Sequence, residues 1–519
     1  PIVAVQAVPP AARDFCVVGA GPGGLQSATL LAERGNDFAL FEKNDNGGSF
    51  YRKYPIHRTL ISINKRATSR GHSPEFNERH DWNSLLSNND SLKMARYSRK
   101  FYPSADELVQ YLEDYSQRLM DISPANSVHF STEVVRVSRA EGSETALDLH
   151  TRPVSIEDDL DLDGGDASTN AKTSVTRCGR VIWATGTQPK GLEEVIEGAD
   201  LDGVEHYSEV DPTSERYFNE SVALIGAGNA GMEIATALQN TVGFIALMSD
   251  FQFSWRSHYV GDVRSVNAQF VDGYLLKSLD YINSGGRFNM VKRNHAHGKL
   301  QIDMKRPQGE AQIVSTAAGD RVETDGEQAK VQKEQPGQDE MMMNISAWDL
   351  EKNTDVCEVD MDGCKNRLHA ESARGSILGF DRVIFCTGFR FKMADPPEPG
   401  DSEEEKKRKS LFDSNVRPVL NRDGKYPQQS RTYQSRNVKG LYFAGALAHE
   451  LDFKRSAGGF IHGFRYTARA LHHILVHDLP RDRPGSRDWP SVPLTKKEFI
   501  GGELAQERFC GCVFFGFFF

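Results

Sequence analysis

Two apolar runs of strand length organise the chain, because each ends in a glycine-rich loop and is followed by apolar positions at helical spacing. The first run covers residues 14–18 and the second covers Ser221–Ile225. After each loop, apolar positions recur with the period of a helix, over residues 25–33 and 232–238, and another apolar run follows. This order of strand, loop, helix and strand predicts two α/β units built on parallel sheets.

The glycines of both loops have the spacing that a dinucleotide pyrophosphate requires. In the first loop Gly19 permits a tight turn, Gly21 lets the backbone approach the ligand, and Gly24 lets the helix pack on the strand. Pro22 and Gly23 lie between these positions. The second loop repeats the spacing with Gly226, Gly228, Asn229 and Gly231. We therefore predict that a pyrophosphate lies at each helix N-terminus, where N–H groups and the helix dipole favour an anion.

An acidic residue follows the next strand in each unit. Glu42 ends the run Phe38–Phe41, about 20 residues after the first loop, where a carboxylate binds a ribose hydroxyl. Asp250 stands at the matching place after residues 244–248. For both acids the alternative is a solvated charge at a strand end. Because Asp250 would repel a 2′-phosphate, its position favours NADH over NADPH.

Composition excludes some partners. The 519 residues carry a net charge of −10, with a sequence pI near 5.9, which argues against nucleic acid as the main partner. Mean hydropathy is −0.51, and no apolar run is long enough to span a bilayer. Residues 159–164 match the opening of a calcium loop, but Asn170 stands where a bidentate glutamate is needed, so no metal site is predicted.

The seven cysteines are scattered, and an odd, dispersed set does not predict a disulfide framework. Cys16 and Cys386 lie in apolar strands and are interpreted as packing residues. Cys510 and Cys512 are different, because they lie in a glycine-containing terminal segment. They are either two ordinary thiols of a frayed terminus or a redox-active pair.

The segment after Glu42 resembles the flavin-containing monooxygenase-like branch of the two-dinucleotide-binding flavoproteins. Glu42 is followed by Gly47, Gly48, Ser49 and Phe50, similar to the branch's acid and Gly-Gly segment along the flavin. Longer matches occur at residues 57–66, 80–86, 257–262 and 456–466. The resemblance implies FAD on the first loop and NADH or NADPH on the second. Hydride would pass to FAD, and electrons then to oxygen or another acceptor.

The fold implied is a pair of Rossmann-like three-layer domains, with the FAD domain split by an inserted NAD(P) domain. The ranges are an extension at 1–13, FAD-binding segments at 14–190 and 376–480, an NAD(P)-binding domain at 191–375, and a tail at 481–519. Further cofactor-binding residues are expected at Lys43, Gly48, Ser49, Thr185, Gly186, Gly388, Gly445, Ser456 and Gly458.

Asn64 is the candidate catalytic residue, because it matches the branch's asparagine beside the reactive flavin carbon; the alternative is a turn-stabilising asparagine. Two departures weaken the likeness. Residues 201–206 are one residue short of the monooxygenase signature, which places oxygen insertion in doubt. Asp250 stands where the branch commonly has an arginine for NADPH, and the first arginine after it is Arg256.

Two other functions stay open. One is a thiol-disulfide or electron-transfer reductase that uses Cys510 and Cys512, and the other is a subunit that holds FAD as structural support in a larger assembly. The apolar end of the tail, residues 514–519, would then dock on a protein partner. The resemblance suggests the endoplasmic reticulum or another organelle lumen, although the chain ends without a retention signal.

Overall fold

The computed structural model describes residues 11–64, 81–89, 91–154, 173–189, 198–226, 228–249, 379–393, 410–452 and 459–477, together with the backbone of short strands between 282 and 332. The chain divides into two compact units. One is formed by Pro1–Gln188 and Phe389–Phe519, and the other by Pro189–Gly388. Each unit contains a parallel sheet, so the mixed α/β fold class predicted from the sequence is confirmed.

The strands are numbered in chain order. They are β1 Ala11–Val18, β2 Phe38–Phe41, β3 Val128–His129, β4 Thr132–Arg139, β5 Leu147–Pro153, β6 Ser174–Trp183, β7 Gln188–Pro189, β8 Val204–His206, β9 Ser221–Ile225, β10 Phe244–Ser249, β11 Ile282–Ser284, β12 Arg287–Arg293, β13 Leu300–Lys305, β14 Ile313–Ser315, β15 Arg321–Asp325, β16 Gln328–Gln332, β17 Gly379–Phe380, β18 Arg382–Phe385, β19 Phe389–Arg390 and β20 Leu441–Phe443. The described helices are Pro22–Glu33, Phe50–Lys53, Met94–Tyr97, Ala105–Ile122, Asn229–Leu238 and Ile461–His477, with 3-10 helices at Tyr207–Glu209, Glu215–Tyr217 and Gly445–Asp452.

The sheet of the first unit is parallel around β1, the strand that leads into the first loop. Its order is β3-β2-β1-β6, and the end of β6 pairs in parallel with β20. The beginning of β6 pairs antiparallel with β5, and β5 pairs antiparallel with β4. Val128–His129 pairs in parallel with β2 at the sheet edge. The first loop therefore follows a central strand.

Alternation along β1 builds two cores on the two faces of this sheet. Phe15 and Val17 pack towards the helices, in a cluster with Leu25 and Leu112. Val18 faces the other side, in a cluster with Trp183 and residues of the 411–447 region. Since successive side chains of a strand point to opposite faces, this burial on both sides is what a three-layer unit requires.

Cys16 and Cys178 form a disulfide that joins β1 to β6. Both residues are fully buried on the same face of the sheet. The interpretation of Cys16 as a simple packing residue is therefore wrong. The odd count hid the bond, because two of the scattered cysteines lie on strands that become neighbours only in the folded sheet.

The inserted unit contains a five-stranded parallel sheet with the order β11-β10-β9-β18-β8. Strand β18 pairs with β9 and β8, and therefore lies inside this unit. The sequence assigned residues 376–480 to the returning FAD segment, and this boundary is wrong for β18. A Thr-Gly pair follows both β6 and β18, so this pattern does not distinguish the sheets that the two strands join.

The long helix of the first unit begins where its sequence predicts. Ser104 is the N-cap of Ala105–Ile122: its Oγ accepts from the Glu107 N–H at 3.3 Å, and Glu107 Oε2 accepts from the Ser104 N–H at 2.8 Å. The helix packs on Pro22–Glu33, which starts at the first loop. Of the helices that the structure describes, none has the length and apolarity to cross a bilayer.

Candidate functional site

The glycines of the first loop divide into structural positions and one open position. Gly19 has a φ of +95°, in the left-handed region that favours glycine. A Cβ on Gly24 would collide with the carbonyl oxygen of Gly19, and a Cβ on Gly23 would collide with the backbone of Gly445. A Cβ on Gly21 would meet no atom nearer than 4.0 Å. The loop is therefore packed on one side and open beside Gly21.

The open side of the loop meets the N-terminus of helix Pro22–Glu33. Gly21 is the N-cap residue, so no side chain caps the first turn, and Pro22 takes the first helical position. The helix is closed by the Leu25 N–H, which donates to the Gly21 carbonyl at 2.9 Å. First-turn N–H groups and the positive end of the helix dipole fit a pyrophosphate at this place.

Glu42 is buried at the end of β2, with 7% of its surface exposed, and is bonded to the first loop. Its Oε2 accepts from the Ala20 N–H at 2.7 Å, while its Oε1 accepts from the main-chain and side-chain amides of Asn44 at 2.9 and 2.5 Å. These contacts exclude the solvated strand-end charge that the sequence left open. No role was predicted for Asn44. The one feature of the sequence that points to such a role is an amide side chain two residues after the acid.

The Gly-Gly segment after Glu42 lies against the same loop. Gly48, with a φ of +76°, donates its N–H to the Ala20 carbonyl at 2.9 Å. A Cβ on Gly48 would collide with Leu112 of the long helix. The Ser49 hydroxyl accepts from the Asn44 side chain at 2.9 Å, whereas Lys43 is exposed. The structure thus brings Gly48 and Ser49 to the loop and leaves Lys43 at the surface.

Two further returns of the chain complete this edge of the sheet. After β6, the Ala184 N–H donates to the Val18 carbonyl at 2.8 Å, and the Thr185 hydroxyl accepts from the Trp183 indole at 2.9 Å. Gly186 follows with a φ of +70°. After β20, Gly445 turns with a φ of +65° where its backbone passes Gly23. Thr185, Gly186 and Gly445 therefore lie at the carboxyl edge of the sheet, and their role in cofactor binding stays a prediction.

The inserted unit repeats this arrangement at the second loop. Gly226 has a φ of +115°, and a Cβ on it would meet the Cys386 carbonyl oxygen at 2.5 Å. A Cβ on Gly231 would collide with the Gly226 carbonyl, whereas a Cβ on Gly228 would meet nothing within 4 Å. Helix Asn229–Leu238 begins here with no side-chain cap. Gly388, with a φ of +89°, follows β18 at the same edge.

Several predicted site residues lie outside the described residues. They are Asp250, Ser456 and Gly458, together with Arg256, Cys510 and Cys512. For these positions the roles stay predictions from the sequence.

Asn64 is held rigidly and keeps an unused acceptor. It is 5% exposed, and its Nδ2 donates to the Ser98 carbonyl at 2.9 Å. Its Oδ1 is buried and has no hydrogen-bond partner among the described residues. The neighbouring backbone is fixed by Asn83, whose side chain donates to the carbonyls of Ser62 and Ile63 at 3.2 and 3.1 Å. A buried polar atom without a partner calls for a ligand or an ordered water.

His206, the last residue of the shortened monooxygenase signature, has a local structural role. Its backbone N–H donates to Glu209 Oε2 at 2.7 Å, and its Nδ1 lies 2.7 Å from the Ser208 hydroxyl. These contacts cap the 3-10 helix Tyr207–Glu209. The imidazole is therefore used to close a turn of the inserted unit.

Cys386 is buried beside the second loop. Burial, reinforced by the negative charge of Glu233, raises the pKa of its thiol far above the usual range. A thiol held neutral is a poor nucleophile, so Cys386 is a packing residue, as the sequence predicted.

Each unit is Rossmann-like and has a glycine position with open space beside a helix that lacks a side-chain cap, which is the arrangement of a dinucleotide-binding domain. Residues 13–251 match the family model described as pyridine nucleotide-disulphide oxidoreductase. These residues are therefore similar to that family, which implies FAD and NAD(P)H as cofactors. The open positions at Gly21 and Gly228 fit dinucleotides of this kind.

Among curated proteins, the chain is similar to FAD-dependent oxidoreductase domain-containing protein 2 of Mus musculus, with 30% identity over 93% of this chain. The chain spans about 60% of the length of that relative. Among solved structures, it is similar to a bacillithiol disulfide reductase of Staphylococcus aureus and a flavin-containing monooxygenase of Stenotrophomonas maltophilia. Identities are 15% and 16%, both TM-scores are 0.51, and each comparison covers 90% of this chain and 100% of the other. At this identity the likeness shows the fold alone.

Proposed function

We propose that this chain is an FAD-dependent oxidoreductase that takes hydride from NAD(P)H and passes the electrons to oxygen or to another acceptor. The main support for the proposal is that each unit has a glycine loop open to a ligand at a helix N-terminus, an arrangement that we call a cradle. Gly21 and Gly228 are both open at the start of an uncapped helix, one in each unit. A protein with two such cradles holds two dinucleotides, as the transfer of hydride between cofactors requires.

We assign FAD to the first unit, because Glu42 is the described acid bonded to a glycine loop. Gly19, Gly21, Glu42, Gly48 and the Thr185–Gly186 turn would hold it, and FAD supplies the hydride and electron chemistry when bound. The chain's own residues bind and orient the dinucleotide.

The side chain of Asn64 is evidence for a ligand close to residues 62–64, because its Oδ1 is buried and accepts no hydrogen bond from a described residue. We propose that it contacts the flavin, as the resemblance implies. The Nδ2 of Asn64 already donates to the Ser98 carbonyl, so its Oδ1 is the acceptor that a ligand would meet.

The three cysteines that the structure describes do not form an accessible redox pair. Cys16 and Cys178 are bonded to each other and fully buried, and Cys386 is buried with a raised thiol pKa. Thiol-disulfide exchange requires an accessible thiolate, so none of these three is suited to it. The signature at residues 201–206 is one residue short, which favours electron relay over oxygen insertion.

We propose NADH as the preferred coenzyme, because Asp250 would repel the 2′-phosphate of NADPH. Comparison of the two coenzymes with the protein and with Asp250→Ala tests this. A clear NADPH preference in both proteins would overturn it and would point to Arg256 or Arg264 as phosphate ligands.

We also propose an oxidising compartment, such as an organelle lumen. The buried disulfide between β1 and β6 supports it, because protein disulfides form and persist in oxidising environments. Thiol labelling of the endogenous protein, with and without prior reduction, would show whether this bond exists in the cell.

The proposed function is tested by mixing the FAD-loaded protein anaerobically with NADH or NADPH, and then admitting air. We expect loss of the oxidised flavin absorbance, followed by its return with release of hydrogen peroxide or after addition of an electron acceptor. Flavin that neither coenzyme reduces would favour the structural-subunit alternative. Stoichiometric oxygen transfer to an added amine or sulfide would show a monooxygenase instead.

A further inference from the structure

The side chain of Asn44 links two groups beside the first loop. Its Nδ2 donates to Glu42 Oε1 at 2.5 Å and to the Ser49 hydroxyl at 2.9 Å. Its backbone N–H also donates to Glu42 Oε1, at 2.9 Å. One residue therefore supplies two N–H donors to the same carboxylate oxygen.

The remaining capacity of the Glu42 carboxylate lies on its other oxygen. An ionised carboxylate offers about four acceptor positions, two on each oxygen. Asn44 fills both positions on Oε1, and the Ala20 N–H fills one on Oε2. Among the residues that the structure describes, no donor fills the remaining position, which belongs to the oxygen that is bonded to the glycine loop.

We infer that Asn44 is a positioning residue that fixes the Glu42 carboxylate so that Oε2 accepts a ribose hydroxyl of the bound dinucleotide. The inference rests on the proposed FAD site. A free ribose hydroxyl can donate to Oε2, whereas a phosphate on that hydroxyl would meet the carboxylate as a like charge. Asn44 thereby helps to select a dinucleotide with an unmodified adenosine ribose.

The main chain around Glu42 is anchored independently of the Asn44 side chain. The Glu42 N–H donates to the His129 carbonyl at 2.9 Å, and the Glu42 carbonyl accepts from the Thr132 N–H at 2.8 Å. The Asn44 carbonyl accepts from the Ser131 N–H at 2.9 Å. Removal of the amide should therefore leave the backbone in place and free the carboxylate to rotate.

The test compares FAD with an analogue whose adenosine ribose lacks the 2′-hydroxyl, by titration into flavin-free protein. The unsubstituted protein should bind FAD about tenfold or more tightly than the analogue, as expected for a hydroxyl bonded to a charged group. Asn44→Ala should bind FAD about tenfold less tightly, and its preference for FAD over the analogue should fall to roughly threefold or less. A merely structural role would weaken both ligands equally.

Two more variants sharpen the test. Asn44→Asp keeps the shape but places a second carboxylate against Glu42, so it should bind FAD less tightly than Asn44→Ala; binding equal to that of the unsubstituted protein would overturn the inference. Asp45→Ala is the matched control, because its side chain is 72% exposed and pairs with Arg52; it should keep the preference for FAD.

Failure of the inference and failure of the proposed site have different signatures. If the unsubstituted protein prefers FAD and Asn44→Ala keeps that full preference, Asn44 has no positioning role while the FAD site stands. If the unsubstituted protein binds both ligands equally, Glu42 does not contact this hydroxyl and the inference is wrong while the FAD site stands. If it binds neither ligand, the proposed FAD site is wrong.

Discussion

At the scale of single residues, the first loop separates glycines that the fold needs from the glycine that a ligand needs. Gly21 has a φ of −69°, which any residue adopts, and open space beside it. Gly24 is pressed against the Gly19 carbonyl, so that even a methyl group there has no room. Substitution of each by alanine should therefore have a different effect.

We predict that Gly21→Ala retains the thermal stability of the flavin-free protein but loses at least tenfold in FAD affinity, because its methyl group occupies the pyrophosphate's place. Gly24→Ala should lower the free energy of unfolding by about 1–3 kcal/mol, because the methyl group overpacks the turn. Thermal melts of flavin-free protein and FAD titrations measure the two effects. Equal FAD affinity in Gly21→Ala and the unsubstituted protein would show that FAD does not bind at this loop.

Glu107 also acts at the residue scale, and its effect depends on pH. Burial alone would raise the pKa of Glu107, but hydrogen bonds from Ser104 and Ser98, with the nearby Lys100 charge, hold the pKa below its usual value. A carboxyl whose pKa is depressed by folding stabilises the fold above its unfolded pKa of about 4.3, and that contribution is lost as the pH falls through the folded pKa.

We therefore predict that Glu107→Gln lowers the free energy of unfolding by about 0.3–1 kcal/mol at pH 7, because the first turn loses its negative charge. The difference should begin to shrink at about pH 4.3 and vanish as the pH falls through the depressed folded pKa, where the carboxyl of the unsubstituted protein becomes protonated. Denaturant unfolding at several pH values measures it, with Glu141→Gln on the exposed turn as the control. A difference that is the same at pH 7 and pH 3 would contradict the assignment.

At the scale of elements, the sequence predicted what local sterics decide. The strand and loop around Gly19 follow rules that act over a few residues, and both were predicted. The Cys16–Cys178 bond and the sheet of β18 depend on which strands become neighbours across more than a hundred residues. No local pattern carries that information, and likewise Asn44 becomes visible only once its amide is seen on Glu42.

The disulfide should stabilise the first unit strongly. Its residues are 162 positions apart, and closure of so long a loop restricts the unfolded chain. We predict that the double substitution Cys16→Ser and Cys178→Ser costs about 2–5 kcal/mol of unfolding free energy. The folded protein should resist mild reductants, since both sulfurs are fully buried. Rapid reduction of the native protein under the same conditions would contradict this burial.

At the scale of the whole molecule, the inserted unit leaves and re-enters the first unit at adjacent strands. Strand β7 ends at Pro189 and β19 begins at Phe389, and the two pair with each other. The first unit has its own cores on both faces of its sheet, built entirely from residues outside 189–388. A chain in which a short Gly-Ser linker replaces residues 189–388 should therefore fold.

We predict that this shortened protein binds FAD, because Gly21, Glu42 and Asn44 are all retained. Dithionite should reduce its flavin, whereas NADH and NADPH should reduce it at least a hundredfold more slowly than in the full chain, because the loop at Gly228 is gone.

The control is the full chain with Gly228→Trp, in which a bulky side chain fills the open position of the second loop. It should keep FAD and lose coenzyme-driven reduction in the same way. Reduction of the shortened protein by NAD(P)H at the full rate would show that the coenzyme binds the first unit. The assignment of FAD to the first cradle and of the coenzyme to the second would then be wrong.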